Sequence, residues 1–138
     1  MSTEIVARAA GFVTDNDNQC LTAGFSELPD GSGLALLFQV STYEPDEQEV
    51  QLGWDTYCIT TGDQRGTCYG GLLHADLVGA ELSLLFNPET ASILGLEDNV
   101  NVRLDVDERS LCEFRDGFPQ VVLVRWGRAD LAPTLSGF

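Results

Sequence analysis

The clearest hydrophobic pattern spans residues 100–106, where Val100, Val102, Leu104 and Val106 alternate with Asn101, Arg103 and Asp105. A period of two places one set on a buried face and the other in water, which predicts a half-buried strand. Residues 34–40 read differently, because Leu34, Leu36, Phe38 and Val40 share one side while Ala35 and Leu37 occupy the other. A strand apolar on both sides is predicted to lie in the middle of a sheet. Upstream, residues 4–13 and 20–28 are rich in apolar and β-branched types and flank the turn formers Asp15-Asn16-Asp17-Asn18, the pattern of a hairpin. A second hairpin is predicted from residues 50–60 and 67–77 around the Thr61–Gly66 turn, with Gly70-Gly71 marking a bulge or a close backbone approach. Residues 41–49 lose the apolar pattern, carry Pro45 and read as an acidic loop, and Val78-Gly79-Ala80 turns the chain into a strand at 81–86.

Two segments carry helix punctuation. Asn87 as N-cap, Pro88 at the first position, Glu89 in the first turn and Gly95 as a stop predict a short helix over 88–94. Asp107 can cap a second helix, about 107–117, in which Leu111 and Phe114 share a face and Val106 with Leu111 has the spacing of a hydrophobic staple. Gly117 and Pro119 are expected to end it. The remainder, 118–138, reads either as an edge strand or as a C-terminal extension. With no internal repeat and no linker, the expected architecture is one domain over residues 1–138, a β-rich α+β fold with a mainly antiparallel sheet and two short helices.

Composition narrows the function classes. Hydrophobic residues make up 43% and charged residues 21% of the 138, which is globular and not disordered composition. No run approaches the roughly 18 apolar residues of a membrane-spanning helix. Met1-Ser2-Thr3-Glu4 lacks the basic and apolar regions of a secretory signal, so the chain is expected in the cytoplasm, away from membranes. Cys20, Cys58, Cys68 and Cys112 form no CxxC pair and His74 is the single histidine, so no metal site is expected. Reduced thiols are the default, although Cys58 and Cys68 could face each other across the second hairpin in the right register.

The net charge is −15, which disfavours nucleic acid as a partner and favours a basic surface. Residues 1–100 hold 16 of the 22 acids and two of the seven arginines, so the negative field belongs to that part of the chain. The densest acidic stretch adjoins aromatic residues: Glu44, Asp46, Glu47 and Glu49, then Trp54, Asp55 and Tyr57. Charge runs most often simply face water. The functional alternative is a partner-binding patch, in which aromatics anchor and acids steer a cationic partner.

Chemistry is sparsely signalled. His74 is the one side chain suited to act as a base near neutral pH, and a Cys58/His74/Asp55 set can be drawn, but no nucleophile motif accompanies it. The glycines form no phosphate-binding loop and the chain contains no lysine. No catalytic residue or cofactor is assigned. The rival to a binding protein is a small enzyme or ligand-binding domain with a pocket near Tyr57, Tyr69 and His74, and a third reading is a homodimer formed through an exposed strand edge.

The run from Asp46 through Gly53-Trp54-Asp55-Thr56-Tyr57-Cys58, followed by Cys68-Tyr69-Gly70-Gly71 and Ala91-Ser92-Ile93-Leu94-Gly95-Leu96, resembles the immunity protein 10 family of bacterial polymorphic toxin systems over residues 30 to 116. The resemblance implies a β-rich domain that binds and neutralises a cognate toxin and has no active site. Asp55, Thr56, Tyr57, Tyr69, Gly70 and Gly71 match the family pattern, with a role in holding the hairpin expected for them. If the toxin is a nuclease with a basic groove, an acidic antidote could imitate phosphate charge. Replacing His74 by alanine separates the classes: the protective activity is expected to be unchanged, whereas loss of activity in a folded variant would mark an enzyme.

Overall fold

The computed structural model describes residues 2–17, 19–30, 33–43, 46–51, 56–62, 66–123 and 133–138. Among these run β1 (Ser2–Ala7), β2 (Ala9–Asp15), β3 (Cys20–Ser26), β4 (Ala35–Ser41), α1 (Glu47–Gln51), β5 (Cys58–Thr61), β6 (Thr67–Tyr69), β7 (Leu72–Val78), β8 (Glu81–Phe86), α2 (Pro88–Leu94), β9 (Asn99–Leu104), α3 (Glu108–Val122) and β10 (Thr134–Ser136). The strands form two five-stranded sheets, ordered β1-β9-β8-β7-β10 and β2-β3-β4-β5-β6. The second is antiparallel throughout; the first pairs β1 with β9 and β10 with β7 in parallel and is otherwise antiparallel. The fold is thus β-rich α+β with mostly antiparallel pairing, as the periodicity indicates, but with a third helix.

Local signals place several elements as expected. β4 is the central strand of its sheet, with Leu36 and Phe38 inaccessible to solvent. The Asn87 side chain accepts from the Thr90 N–H at 2.8 Å, and Gly95 ends α2 in the left-handed region at φ 73°. Asp107 caps α3 by accepting from the Ser110 N–H at 2.7 Å. That hydrogen bond holds the Asp107 carboxyl below its usual range.

The end of α3 is a correction. The helix does not stop at Gly117 but runs through Pro119 to Val122. A proline inside a helix costs about 3 kcal/mol. Phe118, Val121 and Val122 are fully buried beyond or beside it, each contributing about 1.5–3 kcal/mol, so tertiary burial outweighs the local cost. Gly117 is a packing slot: a Cβ there would come within 2.2 Å of the Phe12 ring on β2. Phe114, Phe118 and Phe138 continue this contact, with Phe118 edge-on to Phe38 at 5.0 Å and Phe138 stacked on Phe118 at 5.1 Å.

Other segments divide where a single strand or loop is expected. The apolar stretch at 4–13 breaks at Arg8, sending β1 and β2 to different sheets. Residues 50–60 are not one strand, because Glu47–Gln51 is helical and β5 begins only at Cys58. The stretch 67–77 divides at Gly70-Gly71, both at positive φ, and passes from β6 in one sheet to β7 in the other. The close approach is at Gly71, packed against Thr90, while the irregular register falls between Leu72 and His74. Across the β5–β6 hairpin Cys58 stands opposite Tyr69 and Cys68 opposite Ile59, so the two thiols do not face each other, and all four cysteines are free. From the tail, residues 134–136 form the parallel edge strand β10.

The inward residues of both sheets join α2 and α3 in one continuous core, from Ile5 and Phe25 to Phe86, Leu94 and Phe114. Gly71→Ala is expected to destabilise the protein by about 3 kcal/mol, since φ is +103° and the new Cβ would lie 2.0 Å from the Thr90 hydroxyl. Gly79→Ala, at φ +61° with open space around it, should cost only about 1–2 kcal/mol. Urea denaturation of the two variants checks the difference.

Candidate functional site

The acidic stretch takes a definite form at one end of the β2–β6 sheet. β4 ends at Ser41, and the Thr42 N–H donates to the Gln19 carbonyl of the β2–β3 turn at 2.8 Å. At the residue immediately before α1 the local chemistry is that of a capping box. The Asp46 carboxylate accepts from the Glu49 N–H at 2.8 Å, and Glu49 Oε1 accepts from the Asp46 N–H at 3.1 Å. The other Glu49 oxygen accepts a 2.6 Å hydrogen bond from the Tyr43 hydroxyl. That bond raises the pKa of the Tyr43 phenol. Tyr43, Glu49 and Asp46 thereby tie α1 to the end of the sheet.

Next to this acidic end lies a cavity of about 190 Å³ on the outward face of the sheet. Its walls are Cys20 of β3, Gln39, Val40 and Ser41 of β4, Thr56, Cys58 of β5 and Tyr69 of β6. The Gln39 amide nitrogen donates to Thr22 Oγ1 at 3.1 Å, and the Cys58 thiol makes a long 3.8 Å contact to the amide oxygen. Burial pushes the Cys58 thiol up, which keeps it protonated at neutral pH and a poor nucleophile. Thr56 is 5% exposed, and its hydroxyl oxygen is buried without a hydrogen-bond partner. A larger concavity of about 400 Å³ extends over Gly11, Gly24 and Leu37 of the same face.

The residues singled out by sequence separate into three groups. Glu47 and Glu49 lie on α1, and Asp46 caps it. Glu44, Trp54 and Asp55 lie outside the described residues. Tyr57, expected on the partner surface, is 0% exposed, so its ring cannot anchor a partner. Its alternation with Ile59 and Thr61 points it inward, and its hydroxyl is bonded to the backbone of Leu72, accepting from the N–H at 3.0 Å and lying 3.4 Å from the carbonyl. Tyr69 is 47% exposed and walls the cavity, whereas His74 sits on β7 in the other sheet, opposite Leu85. Tyr57, Tyr69 and His74 therefore share no pocket among the described residues, and the Cys58/His74 pairing is not made. No cluster of three or more His, Cys, Asp or Glu side chains among the described residues could hold a metal ion. Nor is any described helix long and apolar enough to cross a membrane.

A family model described as immunity protein 10 matches residues 6–112. The chain belongs to the immunity protein 10 family. No curated protein and no solved structure matches it. Several of the motif positions of this immunity protein 10 member have structural duties: Tyr57 ties to Leu72, the Gly70 N–H donates to the Tyr57 carbonyl at 2.9 Å, and Gly71 accommodates Thr90. Sequence reasoning missed Gln39 and Ser41, which carry no local signal, and it missed α1, for which the Asp46-x-x-Glu49 spacing of a capping box was the one local signal.

Burial pushes the Tyr57 phenol up to about 12. Because the folded value lies above the roughly 10 of an exposed tyrosine, this group's stabilisation is complete below pH 10 and is lost as pH rises toward 12. Tyr57→Phe should cost about 1–3 kcal/mol at neutral pH by leaving the Leu72 N–H unpaired. It should also make stability fall less steeply between those two pH values, which denaturant titrations at each pH would measure.

Proposed function

We propose that this immunity protein binds and neutralises a cognate toxin of a bacterial polymorphic toxin system, in the cytoplasm of the producing cell, through the acidic end of the β2–β6 sheet. The observation that carries the location of the surface is α1 itself. This five-residue helix buries none of its residues and has no basic residue in its last turn. Helices in proteins owe most of their stability to packing an apolar face, and one that packs none has no core-building role. Its structure, fixed by the reciprocal Asp46–Glu49 cap, presents carboxylates to a cationic partner. Glu44 and, from the neighbouring sequence, Trp54 and Asp55 extend the candidate surface. Tyr43 and Tyr69, both exposed, replace Tyr57 as its aromatic members.

A basic nuclease domain is the toxin class that this charge suits best. Its catalytic groove must attract phosphates, and an antidote with net charge −15 meets the same field. The protein acts by occupying the groove, so no reaction is required of its own residues.

The direct test is capture, by the tagged protein, of the C-terminal domain of the protein encoded by the adjacent gene, co-expressed with it. Capture at low salt that weakens at high salt is expected. Asp46→Asn combined with Glu47→Gln and Glu49→Gln removes charge while retaining side chains able to cap α1, and should slow association by about tenfold or more. No capture at either salt, or capture indifferent to both salt and these substitutions, would sink the proposal.

A further inference from the structure

The strands of the β2–β6 sheet contain a single charged residue, Asp15, in a chain whose net charge is −15. A strand inside a sheet pairs its backbone on both sides, whereas an edge strand turns every second N–H and C=O outward. Natural proteins guard such edges with charges, proline, bulges or brevity. The two sheets end on β1, β10, β2 and β6. β6 and β10 are three residues long, and β1 carries Glu4 in its middle. β2 has no such guard. It spans seven residues, its register with β3 is unbroken, and Ala9–Thr14 holds neither charge nor proline. Among the described residues β3 is its only strand partner. α3 covers its inward side, where Gly117 packs on Phe12, while Val13 is 62% exposed and nothing lies within 4 Å of a Cβ placed on Gly11.

β2 is also complementary to a second copy of itself running antiparallel. Directly opposed residues of an antiparallel pair face the same way, so a two-fold axis relating the strands must pass through a residue, and Phe12 is the middle of Ala9–Asp15. About that axis Ala9 opposes Asp15 of the copy, Ala10 opposes Thr14, and Gly11 opposes Val13. The exposed valine of each chain then stands beside the open glycine of the other, at the rim of the concavity of about 400 Å³ that Gly11, Gly24 and Leu37 line. One residue further out, the exposed Arg8 comes level with Asn16 of the copy, between its Asp15 and Asp17. The strand thus has a basic residue at one end and acids at the other, and antiparallel pairing matches them twice. Between those ends the uncharged strand lets two strongly negative chains meet without opposing like charges.

We propose that the protein self-associates through β2, two copies pairing these strands antiparallel about Phe12 so that their β2–β6 sheets become one continuous sheet. Asp15 of each copy then neighbours Ala9 of the other, which sends the two acidic ends carrying α1 to opposite ends of the shared sheet. Each stays open to a partner of its own. The inference stands independently of the toxin-binding reading.

Sedimentation equilibrium of the full chain over a wide range of concentrations is expected to show monomers in equilibrium with dimers. Val13→Glu, a carboxylate on the pairing edge, should weaken the dimer about tenfold or more. Arg8→Asp should weaken it about tenfold, and adding Asp17→Arg should restore it, because the exchange of charges re-forms both end contacts. All three positions are exposed, so the substitutions leave the core intact. Amide hydrogen exchange locates the contact: alternate amides of Ala9–Asp15 should slow as concentration rises, and those of β1 and β6 should not. The mass of one chain at every concentration would overturn the proposal, as would a dimer indifferent to Val13→Glu or protected at β1 or β6 instead. Weakening by Arg8→Asp without rescue by Asp17→Arg would overturn the register about Phe12. A chain that stays single while the co-expressed toxin domain protects β2 would give the edge to the toxin and overturn the pairing of copies.

Discussion

The buried hydroxyl of Tyr57 fixes the place where the chain leaves one sheet and enters the other. It accepts the Leu72 N–H and reaches the Leu72 carbonyl, while the Gly70 N–H returns to the Tyr57 carbonyl. Around this tie, Gly70 and Gly71 adopt positive φ and Gly71 lies against Thr90 on α2. A side chain at Gly71 would strike the helix, and a residue without the phenol oxygen at 57 would leave a buried N–H without a partner. The position of Tyr69 on the cavity wall follows from the same constraint, since it is the last residue of β6 before the crossing. Thr56 precedes the tie by one residue, which is why it is held in place with its hydroxyl shut away from water.

The acids divide between two kinds of work. Asp107 and Asp46 each accept a backbone N–H at the start of a helix, so part of the negative charge serves to form structure. Glu49 does this and also holds Tyr43. Charge and architecture are therefore not separate layers: neutralising Glu49 with an amide can preserve α1, whereas truncating it would also release the helix start.

How much was legible in the sequence depended on how far each determinant lies along the chain. The limits of α2 were readable because Asn87, Pro88 and Gly95 act within one turn of their own positions. The end of α3 was not, because Gly117 and Pro119 are decided by Phe12 and by the buried Phe118, Val121 and Val122, and the proximity of Phe12 comes from a distant strand. α1 escaped notice because it has no apolar face, the feature by which helices are recognised, although its capping box was present. Tyr57 was taken for a surface residue because it follows acids, yet its phase with Ile59 assigns it to the interior. The cavity had no local signature at all, since its walls are assembled by the register of four strands.

The parallel pairing of β1 with β9 has a consequence for synthesis. Ser2 pairs with Asn99, so β1 must wait for nearly one hundred further residues before its partner exists. At roughly 5–20 residues per second, that interval is about 5–20 s, during which the apolar side of β1 has no native cover. Such long-range pairing also slows folding itself. Folded protein therefore lags the start of its own synthesis by at least that interval, and any rapid response has to draw on a standing pool of finished molecules.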